Sequence, residues 1–135
     1  MRSLEAKRQA LSELISLLGE LEGTVDAVLV EGARDVEALR SLGFRGRFEV
    51  CSRVRVTDGD LVEEIALIDG SVAILTDFDE EGRRLNRRLS RLLERRGVKV
   101  ERRLRRDVGR LMAVLGVYAV EALDDVGERL QEPGL

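Results

Sequence analysis

Short apolar runs alternate along this chain with segments of helical periodicity. Four of these runs are brief and rich in valine or isoleucine, a pattern typical of buried parallel strands. They read VDAVLVEG, RFEVCS, SVAILTDFD and VKVERR, and they begin at residues 25, 47, 71 and 98. Because strands alternate with helical segments, the chain is predicted to form an α/β domain with a mainly parallel four-stranded sheet flanked by helices.

The helical segments have recognisable starts and stops. Leucines at helical spacing predict an amphipathic helix over residues 3–21 that ends near Gly23. The next pattern predicts a helix that stops at Gly43, and GDLVEEIALIDG predicts a short helix with Asp60 as its N-cap. We therefore expect three segments: an N-terminal helix packed on the domain (1–24), a central domain (25–103) and a C-terminal helical extension (104–135).

The residue inventory excludes several kinds of chemistry. The 135 residues are enough for one domain, and they contain no histidine and a single cysteine, Cys51. An intramolecular disulfide, a Cys/His zinc site and any histidine-dependent catalytic triad are therefore excluded. Carboxylates and metals that prefer oxygen ligands are what remains.

The chain carries no obvious signal for a membrane. Its apolar runs are too short to cross a bilayer, and its first residues lack the pattern of a secretory signal. We expect a cytoplasmic protein with no membrane partner.

Acidic residues collect where two of the predicted strands end. Glu31 closes the first strand, while Asp77, Asp79 and Glu81 follow the third. Ligands of parallel sheets bind beyond the carboxyl ends of the strands, so these four carboxylates converge if the two strands are neighbours. Such a cluster would suit one or two Mg²⁺ ions, with Mn²⁺ as the alternative metal.

Other motifs fit the acidic cluster less well. An EF-hand loop that began at Asp77 would need a glutamate at its twelfth position, where this chain has Arg88. A phosphatase of the haloacid dehalogenase type also has Asp-x-Asp after a strand, but it expects threonine or valine at the position of Glu81, and it stays a minor alternative. Gly32 belongs to no P-loop or dinucleotide-binding pattern.

A basic block follows the acidic cluster. Residues 83–110 hold thirteen basic and three acidic side chains, a net charge of +10 in a chain whose total is −3. Such a block suggests a polyanion held beside a metal, although arginines on solvated helix faces would look the same. The candidates for phosphate contacts are Arg34, Arg83, Arg84, Arg87 and Arg88.

Two stretches together resemble the signature motifs of the Toprim domain. These are VLVEGARDVEAL, which contains Glu31, and ILTDFDEEG, which contains Asp77, Asp79 and Glu81. The Toprim domain is shared by type IA topoisomerases, bacterial primases, recombination mediators, overcoming-lysogenization-defect nucleases and the maturase of 5S ribosomal RNA. The resemblance implies a Rossmann-like Toprim fold over about residues 25–103, and the whole chain most resembles small stand-alone archaeal Toprim proteins.

The resemblance also implies roles for the acidic residues. Glu31 would be the general acid or base, Asp77 and Asp79 would bind Mg²⁺, and Glu81 would support the metal site. A metal-dependent nuclease or phosphotransferase needs little more than these groups. RNA is favoured over DNA as the substrate only through the resemblance to the ribosomal RNA maturase.

A non-catalytic role remains open at this point. The leucines of the first helix approximate a heptad seam, which would suit a protein partner or a homodimer, although packing on the domain's own sheet would explain them too. In that case the protein would be an adaptor that binds metal or nucleic acid without cleaving it. We also expect Tyr118 to pack in the core, which argues against a tyrosine nucleophile.

Overall fold

Four parallel strands form the centre of the computed structural model, which describes residues 2–131. Their order across the sheet is β2-β1-β3-β4. The strands are β1 (Ala27–Val30), β2 (Phe48–Val50), β3 (Ser71–Ile74) and β4 (Lys99–Glu101). The prediction of a parallel four-stranded sheet is therefore confirmed, and β1 and β3, which precede the acidic motifs, are neighbours.

Within residues 2–131, six helices cover the two faces of this sheet. They are α1 (Leu4–Thr24), α2 (Ala33–Ser41), α3 (Asp58–Ile68), α4 (Glu80–Arg95), α5 (Arg102–Leu115) and α6 (Leu123–Gln131), with a short 3₁₀ turn at Val120–Ala122. Alternate strand residues point to opposite faces. Val28 and Ala73 face the core formed with α1, α2, α5 and α6, whereas Leu29 and Ile74 face the smaller core formed with α3 and α4.

Two local predictions differ from the structure. The N-cap of α3 is Thr57 rather than Asp60. The Thr57 side chain accepts a hydrogen bond from the Asp60 amide, and the Asp60 carboxylate accepts one from the Thr57 amide. This reciprocal arrangement is a capping box, in which Asp60 is the third helical residue. Helix α1 also runs through Gly23 and ends at Thr24.

The leucines of α1 pack in the protein's own core. Leu11, Leu14, Leu18 and Leu21 are buried in the larger core, and α1 packs against α5 and α6. Of the two explanations that the sequence left open, packing inside the domain therefore accounts for these leucines, and they are not exposed to a second chain. The division of the chain at residues 24 and 103 stays a prediction.

The described helices also bear on the membrane. None of those within residues 2–131 combines the length and the apolar character that a membrane span requires. The last four residues of the predicted C-terminal extension (104–135) lie outside the described residues.

Candidate functional site

Glu31 lies at the carboxyl end of β1 and reaches across to the chain that leaves β3. Its Oε2 accepts a hydrogen bond of 2.7 Å from the backbone amide of Asp77, and its side chain is half-buried. Its backbone carbonyl accepts another from the amide of Ser52 after β2. Three neighbouring strands therefore determine where this carboxylate lies.

The two aspartates of the Asp-x-Asp motif are each held by a backbone amide of another segment. Asp77 Oδ1 accepts a hydrogen bond of 2.8 Å from the amide of Val120, at the 3₁₀ turn that follows α5. Asp79 is the N-cap of α4, and its Oδ1 accepts one of 2.7 Å from the amide of Gly82. The motif is thus joined both to the start of α4 and to the segment before α6.

A glycine allows the motif to fold against the first turn of α4. A Cβ added at Gly82 would lie 2.0 Å from the carbonyl oxygen of Asp77, which no side chain could tolerate without a shift of the backbone. The buried hydroxyl of Thr76 donates a hydrogen bond of 2.7 Å to the Gly82 carbonyl and closes the same turn. The Asp-x-Asp loop and the helix start therefore form one rigid unit.

Arg105 of α5 supports the Asp-x-Asp loop through hydrogen bonds to its backbone. One guanidinium nitrogen donates to the carbonyls of Ile74 and Thr76, both at 2.9 Å, and another donates to the carbonyl of Asp77 at 3.3 Å. The guanidinium also lies 4.2 Å from the centre of the Phe78 ring, within range of a cation–π interaction. Burial, and then the nearby charge of Arg83, lower the pKa of Arg105 to about 10. Arg105 thus connects α5 to the chain that carries the motif.

Asp35 is a further buried carboxylate beside the site. It occupies the first turn of α2, where its Oδ2 accepts a hydrogen bond of 3.0 Å from the amide of Gly32. Only 6% of the residue is exposed. This bond fixes the turn directly after Glu31.

Three of these carboxylates repel one another in a partly desolvated place. Burial is the largest cause that raises the pKa of Glu31, of Asp35 and of Asp77 above their usual values. The backbone hydrogen bonds oppose this rise, whereas neighbouring carboxylates add to it: Asp77, Asp35 and Asp79 act on Glu31 in this way. A bound cation would relieve the repulsion between the carboxylates and offset the free-energy cost of their desolvation.

The donor set suits a metal that prefers oxygen. Across residues 2–131, the hydrogen bonds described above engage one oxygen each of Glu31, Asp77 and Asp79, and the second oxygen of each makes no hydrogen bond there. Within the same residues, no three acidic or thiol side chains form a ready-made cage for a metal ion. Mg²⁺ does not require such a cage, because it is usually held by one or two carboxylates together with waters and substrate phosphates.

Comparison with known proteins identifies the family. A family model of the Toprim domain matches residues 26–103, which include Glu31 and the whole Asp-x-Asp motif. The chain belongs to the Toprim family. Membership supports a metal-dependent role related to nucleic acid, as the motifs implied.

Relatives of this Toprim protein are small proteins of archaea. A UPF0292 protein of Methanosarcina barkeri is 36% identical over 126 residues, which cover 91% of this chain and 86% of the relative. A UPF0292 protein of Thermococcus onnurineus is 43% identical over 102 residues, which cover 73% of this chain and 70% of the relative. The predicted resemblance to small archaeal Toprim proteins is therefore confirmed.

A solved structure shares the fold. A protein from Aquifex aeolicus matches this Toprim chain with a TM-score of 0.62 and 23% identity, over 78% of this chain and 94% of that one. At this identity the match speaks for the architecture alone.

The Toprim structure brings together three of the four predicted acidic residues. Glu31 bonds to the backbone of Asp77, and Asp79 is close enough to raise the pKa of both. Glu81 differs, because it is an exposed residue in the first turn of α4. Within the described chain, Glu81 makes no hydrogen bond or ion pair with the other three, and an interaction with the helix dipole explains its position.

The predicted phosphate-binding arginines do not form one group. All five are exposed, but Arg84 pairs with Glu80 and Arg88 pairs with Asp58 of α3. Arg34, Arg83 and Arg87 make no ion pair among residues 2–131. Of the five, Arg83 lines a cleft between α4 and α5. The others remain predictions.

Sequence reasoning missed two residues and misplaced a third. Arg105 looks like any other member of the basic block, and only its place at the apolar side of α5, one residue after Leu104, hinted at burial. An aspartate early in a helix usually serves the helix dipole alone, so nothing in the sequence indicated that Asp35 also lies buried beside Glu31.

The prediction that Tyr118 packs in the core is wrong. Its ring is 61% exposed, because the chain turns at Gly116, where φ is 79°, and leaves the helical path. The backbone of Tyr118 takes the structural role instead, since its carbonyl accepts a hydrogen bond of 2.8 Å from the Phe78 amide.

Proposed function

We propose that this Toprim protein is a Mg²⁺-dependent nuclease that cleaves phosphodiester bonds in structured RNA. The observation that supports it most is the position of Glu31: a half-buried carboxylate with a raised pKa, held at 2.7 Å by the backbone of the Asp-x-Asp motif. A proton-transfer group thus stands directly beside two candidate metal ligands.

The environments of the carboxylates suit a division of roles. A pKa raised by burial and by the neighbouring carboxylates favours Glu31 as the group that takes or gives a proton. Asp77 and Asp79 would hold the cation, since each is fixed by a backbone amide through one oxygen and offers the other. When bound, Mg²⁺ would supply electrostatic stabilisation of the charge that builds on the phosphoryl oxygens. Arg105 would keep the Asp77 backbone in place without contacting the substrate.

A nucleic-acid substrate is supported by family and by charge. The net charge of +10 over residues 83–110 lies on α4, β4 and α5, directly after the acidic motif. Arginines on such a surface neutralise phosphates whatever the base sequence. The preference for RNA rests on the likeness of the motifs to those of the ribosomal RNA maturase.

The test is a cleavage assay with a matched substitution. We expect Mg²⁺ or Mn²⁺ to support cleavage of a structured RNA by the wild type, and Glu31→Gln to lower the rate by about 100-fold or more, the usual effect of losing a general acid or base. Glu37→Gln, an exposed carboxylate of α2, is the control and should retain activity. Single-stranded and duplex DNA in parallel reactions test the preference for RNA. Equal cleavage by wild type and Glu31→Gln would overturn the mechanism.

The alternative is a Toprim module that binds without cleaving. This alternative is favoured because Asp35, Asp77 and Asp79 all accept backbone hydrogen bonds, and these bonds stabilise the local structure even without a substrate. Metal and RNA binding by the wild type, with no cleavage of any of the three substrates, would favour this adaptor. The family match decides against the haloacid dehalogenase type of phosphatase.

A further inference from the structure

A cleft of about 500 Å³ lies between α4 and α5. Its α5 wall consists of residues 102, 105, 106, 109, 110 and 113, a helical spacing that places them on one face of that helix. Five arginines line the cleft: Arg83, Arg102, Arg105, Arg106 and Arg110. The Phe78 ring and Gly109 form an apolar part of the wall, and a Cβ at Gly109 would lie 2.7 Å from that ring.

The positive charge in this cleft is only partly compensated. Arg102 is held by both oxygens of Glu94, at 2.6 and 2.7 Å, and Arg110 lies 3.9 Å from Asp107. Arg83 and Arg106 have no acidic partner within residues 2–131, and no carboxylate lines the cleft. Arg83 is close enough to Arg105 to lower the pKa of Arg105. Like charges held together in this way are stabilised when an anion joins them.

The cleft shares two residues with the segment that carries the carboxylate site. Phe78, which forms part of its wall, stands between Asp77 and Asp79 in the motif. Arg105 is shared as well, because it lines the cleft and donates to the Asp77 carbonyl at 3.3 Å. A strand whose scissile phosphate lay at the carboxylates would therefore bring an adjoining phosphate to the arginines.

We propose that this cleft binds the phosphodiester groups of a single-stranded stretch of the RNA substrate next to the cleavage position. Arg83 and Arg106 contact phosphate directly, whereas Arg105 holds the wall. The inference rests on the proposed function for its ligand. It assigns phosphate binding to α5, which lies outside the two acidic motifs. It also separates Arg83 from Arg84 and Arg88, whose guanidinium groups are taken up by Glu80 and Asp58.

The test measures binding without cleavage. A fluorescently labelled single-stranded RNA is titrated in EDTA with the wild type, with Arg83→Ala/Arg106→Ala and with Arg91→Ala/Arg95→Ala. The last variant removes the same charge from exposed positions of α4 outside the cleft. Both variants remove exposed side chains, and thermal unfolding checks that both remain folded.

We expect the cleft variant to bind at least about tenfold more weakly. The slope of log affinity against log salt should fall by about 1.4 for two lost phosphate contacts, at about 0.7 per contact on a single strand. The control should stay within about twofold. An equal loss in both variants would overturn the proposal, because the arginines would then act only through overall charge, and so would a wild type that does not bind.

Two further measurements distinguish this proposal from a small-molecule site and from the nuclease proposal. A 5′-mononucleotide and inorganic phosphate are added as competitors. If either displaced the RNA at a competitor concentration close to that of the RNA, the cleft would be a small-molecule site, which would contradict the proposal. Cleavage is scored separately with Mg²⁺. Cleft-dependent binding in EDTA without cleavage in Mg²⁺ would support the cleft while the nuclease proposal failed.

Discussion

At the scale of single residues, the candidate site is an arrangement of charges that the fold alone does not favour. Glu31, Asp35 and Asp77 lie partly desolvated and near one another, and backbone amides offset only part of that cost. Ordinary packing would place apolar or neutral residues here. A stability penalty that a ligand can relieve is typical of functional sites.

Replacing Glu31 by glutamine tests that penalty without any substrate. A carboxyl whose folded pKa is raised binds more protons in the folded state than in the unfolded one, so stability falls as pH rises from about the ordinary value of 4.5 through the raised value. Above that window the ionised Glu31 lowers stability. In EDTA at pH 7 to 8 we expect Glu31→Gln to unfold at a higher temperature than the wild type, because its amide oxygen still accepts the Asp77 hydrogen bond.

The advantage should shrink as the pH approaches 4, where Glu31 is protonated in both states. Thermal unfolding followed by circular dichroism across this range is the measurement, with Glu37→Gln as the exposed control. A glutamine variant less stable than the wild type at pH 8 would show that the charge stabilises the site.

Gly82 tests how tightly the Asp-x-Asp loop folds on α4. In Gly82→Ala the new methyl group would meet the Asp77 carbonyl at 2.0 Å, so we expect a loss of roughly 3 kcal/mol, at the upper end for overpacking. Gly19→Ala, inside α1 with nothing within 4 Å of the new atom, should instead gain about 0.5–1 kcal/mol. Urea unfolding of both measures the contrast, and a similar small effect at the two sites would contradict the close approach.

At the scale of elements, the site is assembled from strand ends and the segments that follow them. Apolar runs predicted the strands, but the convergence of their acidic ends depended on the condition that β1 and β3 are neighbours, which the sheet order meets. Sequence patterns could not predict that α5 supports the motif, since Arg105 differs from its neighbours only in the direction it faces. The same holds for the α1 leucines, whose spacing suits a dimer seam as well as the domain's own core.

Arg105 is the element-scale connection most open to test. Its removal would leave the buried carbonyls of Ile74 and Thr76, and that of Asp77, without their donor, so we expect Arg105→Ala to lose roughly 2–5 kcal/mol of unfolding free energy. Arg105→Lys should recover little of it, because an ammonium cannot reproduce the planar fork of donors. Arg106→Ala, one residue on and exposed, should change stability by no more than about 0.5 kcal/mol. Chemical denaturation compares the three, and equal effects at 105 and 106 would contradict the supporting role.

At the scale of the whole molecule, acidic and basic residues are sorted around one edge of the sheet. The carboxylates lie where β1 and β3 end, and the α4–α5 surface beside them carries the positive charge. The overall order of charges along the chain predicted this arrangement. The cleft itself could not be predicted, because its arginines come from two helices whose relative placement only the fold determines. Together the two surfaces suit a polyanion bound across a metal site.

The most direct measurement of the central claim is a calorimetric titration of Mg²⁺ and Mn²⁺ into the wild type and into Asp77→Asn/Asp79→Asn. The matched control is Asp124→Asn/Asp125→Asn, which removes two exposed acids from the first turn of α6. We predict that the wild type and the control bind a divalent cation, and that the Asp77/Asp79 variant loses that binding while it remains folded in EDTA. Equal cation binding by all three proteins, or none by the wild type, would contradict the account.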